Sequence, residues 1–255
     1  MKENDLIVFS GGVKAYAPKR LFYEAKLLGI RLRVLLYKDL TIRITPKEID
    51  YLHNSHILPK SKSIFMRGLG EDGVYNAIKY YLINYYSSLG GRVLNGNSFI
   101  KWPSLDKTIQ YLELQKKEIP IVESYVFGSK KRAMFLADKI GYPFIVKNNI
   151  GSGGEEVYKI ENKEKLEIFL GEKYSLIKIK SLLFQKFLKG GEDLRVIVIN
   201  KKVVGAMKRI ANPGDYLTNY SQGGNVVGYN IEKDMEAKEL ALRVAKTFLL
   251  DYCGV

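Results

Sequence analysis

Residues 193–224, DLRVIVINKKVVGAMKRIANPGDYLTNYSQGG, join two apolar runs to a long polar segment that ends in a glycine pair. The two runs predict strands that are connected by a tight turn at Asn200-Lys201. Alternate residues of a strand point to the same face, so Asp193 and Arg195 should lie side by side. Taken alone, such an acid–base pair is also typical of a cross-strand surface pair that contributes little to stability.

A glycine-rich stretch, VKNNIGSGGEEV at residues 146–157, lies upstream between two further predicted strands. It does not match a P-loop, in which Gly-Lys-Ser/Thr opens a helix, because here Lys147 closes a strand. Glycine permits positive φ and has no Cβ, so the tip of this hairpin can lay backbone N–H groups over an anion. An ordinary flexible hairpin is the alternative. The candidate anion-binding tip comprises Gly151, Ser152, Gly153 and Gly154.

The N-terminal part of the chain alternates apolar runs with helical patterns. These predict a strand, a helix, two strands, a Tyr-rich helix and a strand, at residues 6–9, 18–29, 31–37, 63–68, about 71–88 and 92–96. The apolar face of the first helix is predicted to comprise Leu21, Phe22, Ala25 and Leu28. A start of strand, helix and strand implies a parallel sheet and an α/β domain.

A change of domain is predicted around WPSLDK, residues 102–107. Ser104 is the predicted N-cap of the helix that follows. Further along, the segments IPIVESYVF, PFIVK, EEVYKI and SLLFQKFL predict strands, and the chain ends in a predicted helix. The predicted regions are residues 1–101, 102–188 and 189–255.

The 255-residue chain carries a net charge of +14, from 41 Lys and Arg against 27 Asp and Glu. This balance favours anionic partners, although a Lys-rich solvated surface is the simpler explanation. Cys253 is the only cysteine, which excludes an intramolecular disulfide and a cysteine-rich metal site. No apolar run reaches the roughly 18–20 residues of a membrane span, and the N-terminus lacks the apolar core of a signal peptide. We therefore expect a soluble cytoplasmic protein without a membrane partner.

The two histidines, His53 and His56, form an H-x-x-H pair in a polar segment. No cysteine and no obvious carboxylate partner supports a metal site there, so we interpret them as solvated loop histidines. The sequence also offers no Ser/His or Cys/His arrangement for nucleophilic catalysis.

The order of basic residues, glycine tip and D-x-R hairpin resembles the ATP-grasp superfamily, specifically its RimK-type amino-acid ligases. The similarity runs from about Trp102 to the last residue. It is most specific within 193–224, where D-x-R, a hairpin, Arg209 and T-N-x-x-x-G-G follow in the family's order and spacing. The resemblance implies an α/β fold of the α+β ATP-grasp type. A Rossmann-like pre-ATP-grasp domain would precede the ATP-grasp subdomains, of which the last is incomplete.

The resemblance also implies an ATP site. In the family, two lysines contact the α- and β-phosphates, the glycine tip covers the β- and γ-phosphates, a hinge strand binds the adenine edge through its backbone, and an aspartate meets the ribose. The family usually has Glu where Lys186 stands, a change that backbone contact tolerates. The matching positions are Lys107, Lys147, Gly151, Ser152, Gly153, Gly154, Gln185, Lys186, Phe187, Leu188 and Asp193.

Arg195, Arg209 and Asn219 match family positions near the γ-phosphate and the acyl-phosphate. Guanidinium groups suit this place because they bind phosphate and carboxylate oxygens bidentately. Arg67, in FMRGLG, matches a short basic motif of the N-terminal domain, and we assign it to the carboxylate substrate. The implied reaction is phosphorylation of a carboxylate by ATP, followed by attack of an amine to form an amide. The implied partners are ATP, an amino acid such as glutamate and a carboxylate acceptor, for which an acidic peptide or protein tail suits the basic charge.

Mg²⁺ is a further implied cofactor, which the family holds with an aspartate and a Glu-x-Asn pair on C-terminal strands. The chain stops at Val255, one residue short of the expected aspartate, so no metal ligand is assigned within it. Glu155 and Glu156 make a poor joint ligand because adjacent strand residues point to opposite faces. We therefore expect a fragment or truncated relative that has most of an ATP site and little ligase activity by itself.

Two other functions stay open at this point. A basic nucleic-acid-binding α/β protein would explain the charge, but the basic residues are dispersed and form no recognised nucleic-acid motif. A binding-only ATP-grasp relative would keep the nucleotide site without the ligase reaction. The sequence does not identify the acceptor, the amino acid or the oligomeric state, although relatives in the family are often dimers or tetramers.

Overall fold

The computed structural model describes residues 4–12, 16–67, 74–103, 105–149, 156–172 and 182–255. The chain divides into two compact units, Met1–Ser104 and Leu105–Val255. The finer sequence-based division of the chain, with a boundary after residue 188, stays a prediction. Within the described ranges, no helix is both long and apolar enough to cross a membrane.

The first unit is built on a parallel sheet. Its elements are β1 (Asn4–Ser10), α1 (Tyr16–Leu27), β2 (Leu32–Leu36), β3 (Leu40–Ile44), β4 (Ile49–His53), β5 (His56–Ile57), β6 (Ser61–Met66), α2 (Val74–Ser88), β7 (Arg92–Val93) and α3 (Gly96–Lys101). The parallel strands follow the order β2-β1-β6-β7. Leu82 and Tyr86 of α2 pack with Ile7 and Phe9 of β1 in the core. The α/β arrangement predicted for this part of the chain is therefore confirmed.

Residues 40–57 form a small antiparallel sheet, β3-β4-β5, which none of the sequence patterns predicts. The interpretation of the two histidines as solvated loop residues is wrong for His53, which lies at the end of β4. Its side chain is only 13% exposed, and its Nε2 accepts a hydrogen bond from the Leu36 N–H at 3.3 Å. Burial lowers the pKa of His53. These short strands mix charged and apolar residues, which hides them from a search for apolar runs.

Helix α1 begins two residues before Pro18, and its buried side differs from the predicted one. Pro18 and Ala25 are buried, whereas Phe22 and Leu28 are 57% and 71% exposed. Leu21 and Phe22 lie on either side of the line that joins Pro18 and Ala25, since consecutive residues of a helix are about 100° apart, and of these two only Leu21 is half-buried. The buried stripe is therefore narrower than the sequence predicts.

The second unit contains two antiparallel sheets, with strand orders β10-β9-β11-β8 and β14-β13-β12-β15. Its elements are α4 (Lys107–Gln115), β8 (Ser124–Val126), α5 (Lys130–Ile140), β9 (Phe144–Asn148), β10 (Val157–Ile160), α6 (Lys163–Glu172), β11 (Leu182–Lys186), β12 (Glu192–Ile199), β13 (Lys202–Ile210), β14 (Asn225–Tyr229), α7 (Met235–Thr247) and β15 (Tyr252–Gly254). Each sheet has its own apolar core.

The β12–β13 hairpin confirms the predicted pair of strands and the tight turn between them. Asn200 and Lys201 have φ values of 47° and 63°, as expected of a two-residue turn that matches the twist of its strands. The fully buried Val198 of β12 packs with Ala241 and Ala245 of α7. Strands β14 and β15, which the sequence patterns do not predict, extend this sheet on either side.

Helix α4 is held at both ends. The Asp106 carboxylate accepts a hydrogen bond at 2.9 Å from the backbone N–H three residues on, so Asp106 is the N-cap and the prediction of Ser104 is wrong. Aspartate caps a helix as well as serine does, and here it directly precedes the first helical residue. In the turn directly after the helix, the Arg243 guanidinium of α7 donates to the carbonyl oxygens of Lys117 and Glu118 at 2.9 and 3.3 Å.

We expect Asp106→Ala to lower the free energy of unfolding by about 1 kcal/mol, because an N-cap side chain typically contributes this amount. Asp106→Asn keeps an accepting oxygen in the same place and should retain most of the stability. Urea unfolding followed by circular dichroism measures both variants. Equal losses in the two would contradict a capping role for the side-chain oxygen.

Candidate functional site

A cleft of about 330 Å³ opens in the second unit. Residues from β9, β10 and β11 of one sheet, from β12 and β13 of the other, and from the loop after β13 line it. Those that the sequence predicts for the site are Lys147, Gln185, Lys186, Phe187, Leu188, Asp193, Arg209 and Asn219. The fold therefore brings together residues that are far apart in the chain.

Two ammonium groups lie near each other beside this cleft. The Lys147 Nζ donates to the Gln185 Oε1 at 2.5 Å, and the Lys107 Nζ donates to the Asn148 carbonyl oxygen at 2.8 Å. Burial lowers the pKa of Lys147, and the charge of Lys107 lowers it further. Burial also lowers the pKa of Lys107. The amide oxygen that contacts Lys147 carries no net charge, so a bound anion would stabilise this ammonium group.

The start of α4 is hydrogen-bonded to Asn149, the residue that follows β9. The Asn149 side-chain oxygen accepts hydrogen bonds from the Thr108 N–H at 2.8 Å and from the Thr108 hydroxyl at 2.9 Å. The Asn149 carbonyl accepts from the Lys107 N–H at 3.2 Å. These contacts hold Lys107 at the point where the chain enters the glycine-rich stretch. The predicted glycine tip, residues 151–154, lies outside the described residues, and its contact with phosphates stays a prediction.

Gln185 is only 6% exposed and lies in the central strand β11. Besides accepting from Lys147, its side chain donates to the Tyr111 hydroxyl at 3.0 Å and to the Ser124 hydroxyl at 2.9 Å. The sequence predicts only a backbone role for Gln185. The structure shows that its side chain joins three elements and fixes the position of the Lys147 ammonium.

The segment after β11 gives the cleft an apolar wall with Phe187 and Leu188. The Lys159 ammonium lies 5.0 Å from the centre of the Phe187 ring, which is a cation–π distance. The Lys186 N–H donates to the Glu123 carbonyl at 3.0 Å, so it is committed to the sheet. A backbone N–H contact with a base at this hinge would therefore come from Phe187 or Leu188.

Asp193 pairs with Arg209 across the hairpin rather than with Arg195. The Arg209 Nε and Nη2 donate to the two carboxylate oxygens of Asp193 at 2.6 and 2.8 Å. The Thr218 hydroxyl donates to the same carboxylate. The interpretation of Asp193 and Arg195 as a surface pair is wrong, because the residue directly opposite Asp193 on β13 reaches its carboxylate bidentately.

Arg195 lies outside the lining of the cleft and packs against Gly254 of β15. A Cβ at position 254 would collide with its guanidinium. Burial lowers the pKa of Arg195, and the nearby charge of Arg209 lowers it further. Two guanidinium groups thus lie close together beside one carboxylate, that of Asp193, an arrangement that favours a second anion.

Arg67 belongs to the first unit, where it follows β6. Its N–H donates to the Phe9 carbonyl at the end of β1, at 2.9 Å, and its guanidinium lies 5.8 Å from the centre of the Phe65 ring. The strand order reverses between β1 and β6, since β2 lies on one side of β1 and β6 on the other. Open parallel sheets bind ligands at the carboxyl ends of strands at such a point.

The fold agrees with what comparison with known proteins finds. The family model described as the RimK-like ATP-grasp domain matches residues 105–255. The chain belongs to this family. The resemblance seen in the sequence is thereby confirmed.

Among relatives, human (Homo sapiens) N-acetylaspartylglutamate synthase A is 25% identical over 231 residues, which cover 89% of this chain and 58% of that protein. A probable alpha-L-glutamate ligase of Shewanella halifaxensis (strain HAW-EB4) is 34% identical over 177 residues, covering 68% of this chain and 38% of that protein. The RimK-like chain spans about half the length of these curated relatives.

Among solved structures, the ATP-grasp ligase PsnB complexed with minimal precursor gives a TM-score of 0.73 at 17% identity, over 99% of this chain and 85% of that one. PsnB complexed with a phosphomimetic variant of minimal precursor, Mg and ADP gives 0.69 at 16% identity, over 99% and 84%. At these identities the similarity establishes the fold, and the predicted ATP-grasp fold is confirmed.

Sequence reasoning misses several side chains that shape the cleft of this RimK-like unit. A glutamine inside the apolar strand SLLFQKFL signals a buried polar group that needs partners. That signal points to Gln185 but not to its partner Tyr111. Thr218 opens the T-N-x-x-x-G-G motif, but the motif does not reveal its partner Asp193. Tyr216 gives no comparable signal, because its partners lie far away along the chain.

Gln185→Leu should lower the free energy of unfolding by about 2–3 kcal/mol, since it leaves the polar groups of Lys147, Tyr111 and Ser124 without their buried partner. Gln185→Glu can still accept hydrogen bonds from Lys147 and Tyr111, whereas the Ser124 hydroxyl already donates to the Val122 carbonyl at 2.8 Å, so this variant should lose less stability than Gln185→Leu. Its negative charge compensates Lys147, so we expect weaker binding of ADP. Calorimetric unfolding and titration with ADP separate the two effects. Wild-type ADP affinity in Gln185→Glu would contradict a role for the net charge of Lys147.

Proposed function

We propose that this chain carries the ATP site of an ATP-dependent carboxylate–amine ligase. The observation that carries the proposal is the cleft, because eight of the residues predicted for an ATP-grasp site line this one cavity. They come from both sheets, from the segment after β11 and from the loop after β13. Membership of the RimK-like ATP-grasp family also supports an ATP site.

The chemistry of the cleft suits a nucleoside triphosphate. Ile145, Phe187 and Leu188 supply apolar surface for a purine, and Lys147 and Arg209 supply positive charge. An ammonium group is a compact point charge and a guanidinium is a planar fork, so the two bind phosphate oxygens in complementary ways. We assign Lys147 and its neighbour Lys107 to the α- and β-phosphates, and Asp193 to the ribose.

The reaction that we propose has two steps. A carboxylate oxygen of the acceptor attacks the γ-phosphorus, the bond to the β,γ-bridging oxygen breaks, and ADP and an acyl-phosphate form. The amine then attacks the carbonyl carbon, phosphate leaves, and the nitrogen loses a proton to give an amide. The protein supplies positioning and charge stabilisation. We assign Arg195, Arg209 and Asn219 to the γ-phosphate and the acyl-phosphate, with Arg209 held ready by Asp193.

Mg²⁺ is the cofactor that accompanies ATP in this proposal, as Mg accompanies ADP in one PsnB complex. The part of the chain that the structure describes contains no group of three or more His, Cys, Asp or Glu side chains placed to hold a metal ion. These residues therefore do not by themselves fit a metal site. No step described here passes through the metal.

We propose glutamate as the amine substrate and an acidic molecule as the carboxylate acceptor. Glutamate occurs in the names of the human synthase and of the bacterial ligase. The net charge of +14 favours an acidic acceptor. Arg67 would bind a substrate carboxylate, since it lies at the ligand-binding edge of the parallel sheet. Because ATP is supplied in the cytoplasm, we place the reaction there.

Nucleic-acid binding is a weaker explanation of the basic charge. Lys147 and Arg209 line a cavity of about 330 Å³ with an apolar wall. This volume lies in the range of small-molecule sites, whereas proteins that bind single strands use extended grooves that track the backbone. The geometry of the cleft therefore favours a mononucleotide.

The decisive experiment measures nucleotide binding and turnover together. Titration calorimetry with ADP and Mg²⁺ tests the ATP site. Phosphate release from ATP is then followed with glutamate and either N-acetylaspartate, citrate or an acidic peptide, and mass spectrometry identifies the amide. We expect ADP binding and phosphate release that requires both substrates.

Two other outcomes would change the assignment. ADP binding without phosphate release in any mixture would leave the ATP site standing and remove the ligase reaction from this chain on its own. Salt-sensitive binding of RNA or DNA without ADP binding would favour the nucleic-acid alternative.

Lys147→Met should weaken ADP binding by about 1.5–3 kcal/mol, the typical contribution of a hydrogen bond to a charged group. The substitution keeps an unbranched side chain and removes the ammonium. Lys139→Met, at an exposed position of α5, is the matched control and should bind ADP normally. Titration calorimetry measures both, and equal affinities in the two variants would contradict the assignment.

The same lysine sets the sign of the pH dependence. Burial lowers the pKa of Lys147 in the free protein, and a bound phosphate would raise it again. Binding therefore takes up a proton at alkaline pH, and the affinity falls as pH rises through the lowered pKa. Calorimetry in buffers of different ionisation enthalpy measures this uptake, which should decrease in Lys147→Met. Equal proton uptake in both proteins would assign the linkage to another group.

A further inference from the structure

The loop between β13 and β14 reaches the other sheet of the second unit through one side chain. The Tyr216 hydroxyl accepts a hydrogen bond from the Lys159 N–H at 3.3 Å and donates one to the Val157 carbonyl at 3.1 Å. Both partners are backbone groups of β10, the strand that follows the glycine-rich stretch. Burial raises the pKa of Tyr216, so the phenol stays protonated at neutral pH and can donate.

The contact occupies the open edge of a sheet. Strand β10 is the outer strand of β10-β9-β11-β8 and pairs with β9 on its inner side. Backbone groups of successive residues point to opposite edges of a strand, so those of Val157 and Lys159, two residues apart, share the outer edge. One hydroxyl thus satisfies an outward carbonyl and an outward N–H, which a neighbouring strand would otherwise do.

The same contact links two walls of the cleft. The loop that carries Tyr216 also carries Thr218, which donates to a carboxylate of β12, and Asn219, which lines the cleft. On the side of β10, the ammonium of Lys159 lies over the ring of Phe187 in the apolar wall. The spacing of the two walls therefore depends on how firmly the loop holds β10.

The turn that presents Tyr216 is itself fixed. The Asp215 carboxylate accepts hydrogen bonds from the N–H groups of Tyr216 at 2.7 Å and of Leu217 at 3.3 Å. This local pattern is typical of Asp in turns. The aromatic side chain thus starts from a constrained backbone, which lowers the entropy cost of holding its hydroxyl at the edge of β10.

We propose that Tyr216 is a positioning residue whose hydroxyl holds the β13–β14 loop against the outer edge of β10 and sets the spacing of the cleft walls for a nucleotide. The inference rests on the proposed ATP site. Tyr216 acts through the backbone of β10 and through the loop residues that follow it. Losing two hydrogen bonds of ordinary strength should weaken nucleotide binding roughly tenfold.

Tyr216→Phe removes only the hydroxyl and keeps the aromatic ring. Tyr220→Phe makes the same chemical change on the same loop, at a side chain that is 76% exposed and outside the lining of the cleft, and it serves as the control. Amide hydrogen exchange of β10 is measured in the free proteins, and the affinity for AMPPNP with Mg²⁺ by titration calorimetry. We expect the Lys159 amide to exchange about tenfold faster, and the AMPPNP Kd to rise roughly tenfold, in Tyr216→Phe alone.

Each other outcome overturns a defined part of the proposal. Wild-type exchange at Lys159 in Tyr216→Phe would show that the contact does not exist. Faster exchange with unchanged AMPPNP affinity would mean that the hydroxyl only satisfies two backbone groups at the edge of β10. This outcome would refute the positioning role. A wild-type protein that binds no AMPPNP would remove the proposed function and the positioning role with it, while the exchange result would still report on the contact.

Discussion

The cleft depends on a lysine that is buried against an amide instead of a carboxylate. Removing the Lys147 ammonium from water is costly, and the Gln185 side chain offsets part of this cost with a hydrogen bond. A carboxylate in the same place would offset more and would also cancel the charge. Because the amide is neutral, the positive charge of Lys147 remains available to attract an anionic ligand. The buried ammonium therefore has no counter-charge from Gln185, and a bound anion would lower the cost of burying it.

The strands that bear this pair also build the core beneath it. On β9 and β11, Phe144, Val146, Leu182 and Phe184 face the apolar core with α5 and α6. Lys147 directly follows Val146 and Gln185 directly follows Phe184, so both belong to the opposite face because strand side chains alternate. A register shift of one residue would place the lysine in the core and the phenylalanines in the cleft. Dense packing on one face thus determines where the charges of the other face lie.

The sequence predicts some parts of the fold and of the candidate site better than others. The β12–β13 hairpin is encoded locally, by apolar runs and a two-residue turn, and the sequence predicts it well. The sequence leaves the partner of Asp193 open, because two residues compete for one carboxylate and only the register decides between Arg195 and Arg209. The side-chain network of Gln185 escaped prediction, because Tyr111 lies 74 positions away. Sequence order identifies the family positions, and tertiary packing decides their partners.

Helix α4 has a consequence for the way this protein can vary. Its first residues are bonded to Asn149 and the turn directly after it to Arg243, so its nine residues, about 14 Å long, lie between two fixed points. One inserted residue would turn Lys107 by about 100° around the helix axis and move it by about 1.5 Å. Exchanging an exposed side chain of the same helix would do neither. Across related chains, the length of this segment should therefore be more constant than its composition, and gaps in an alignment should fall in the loops that flank it.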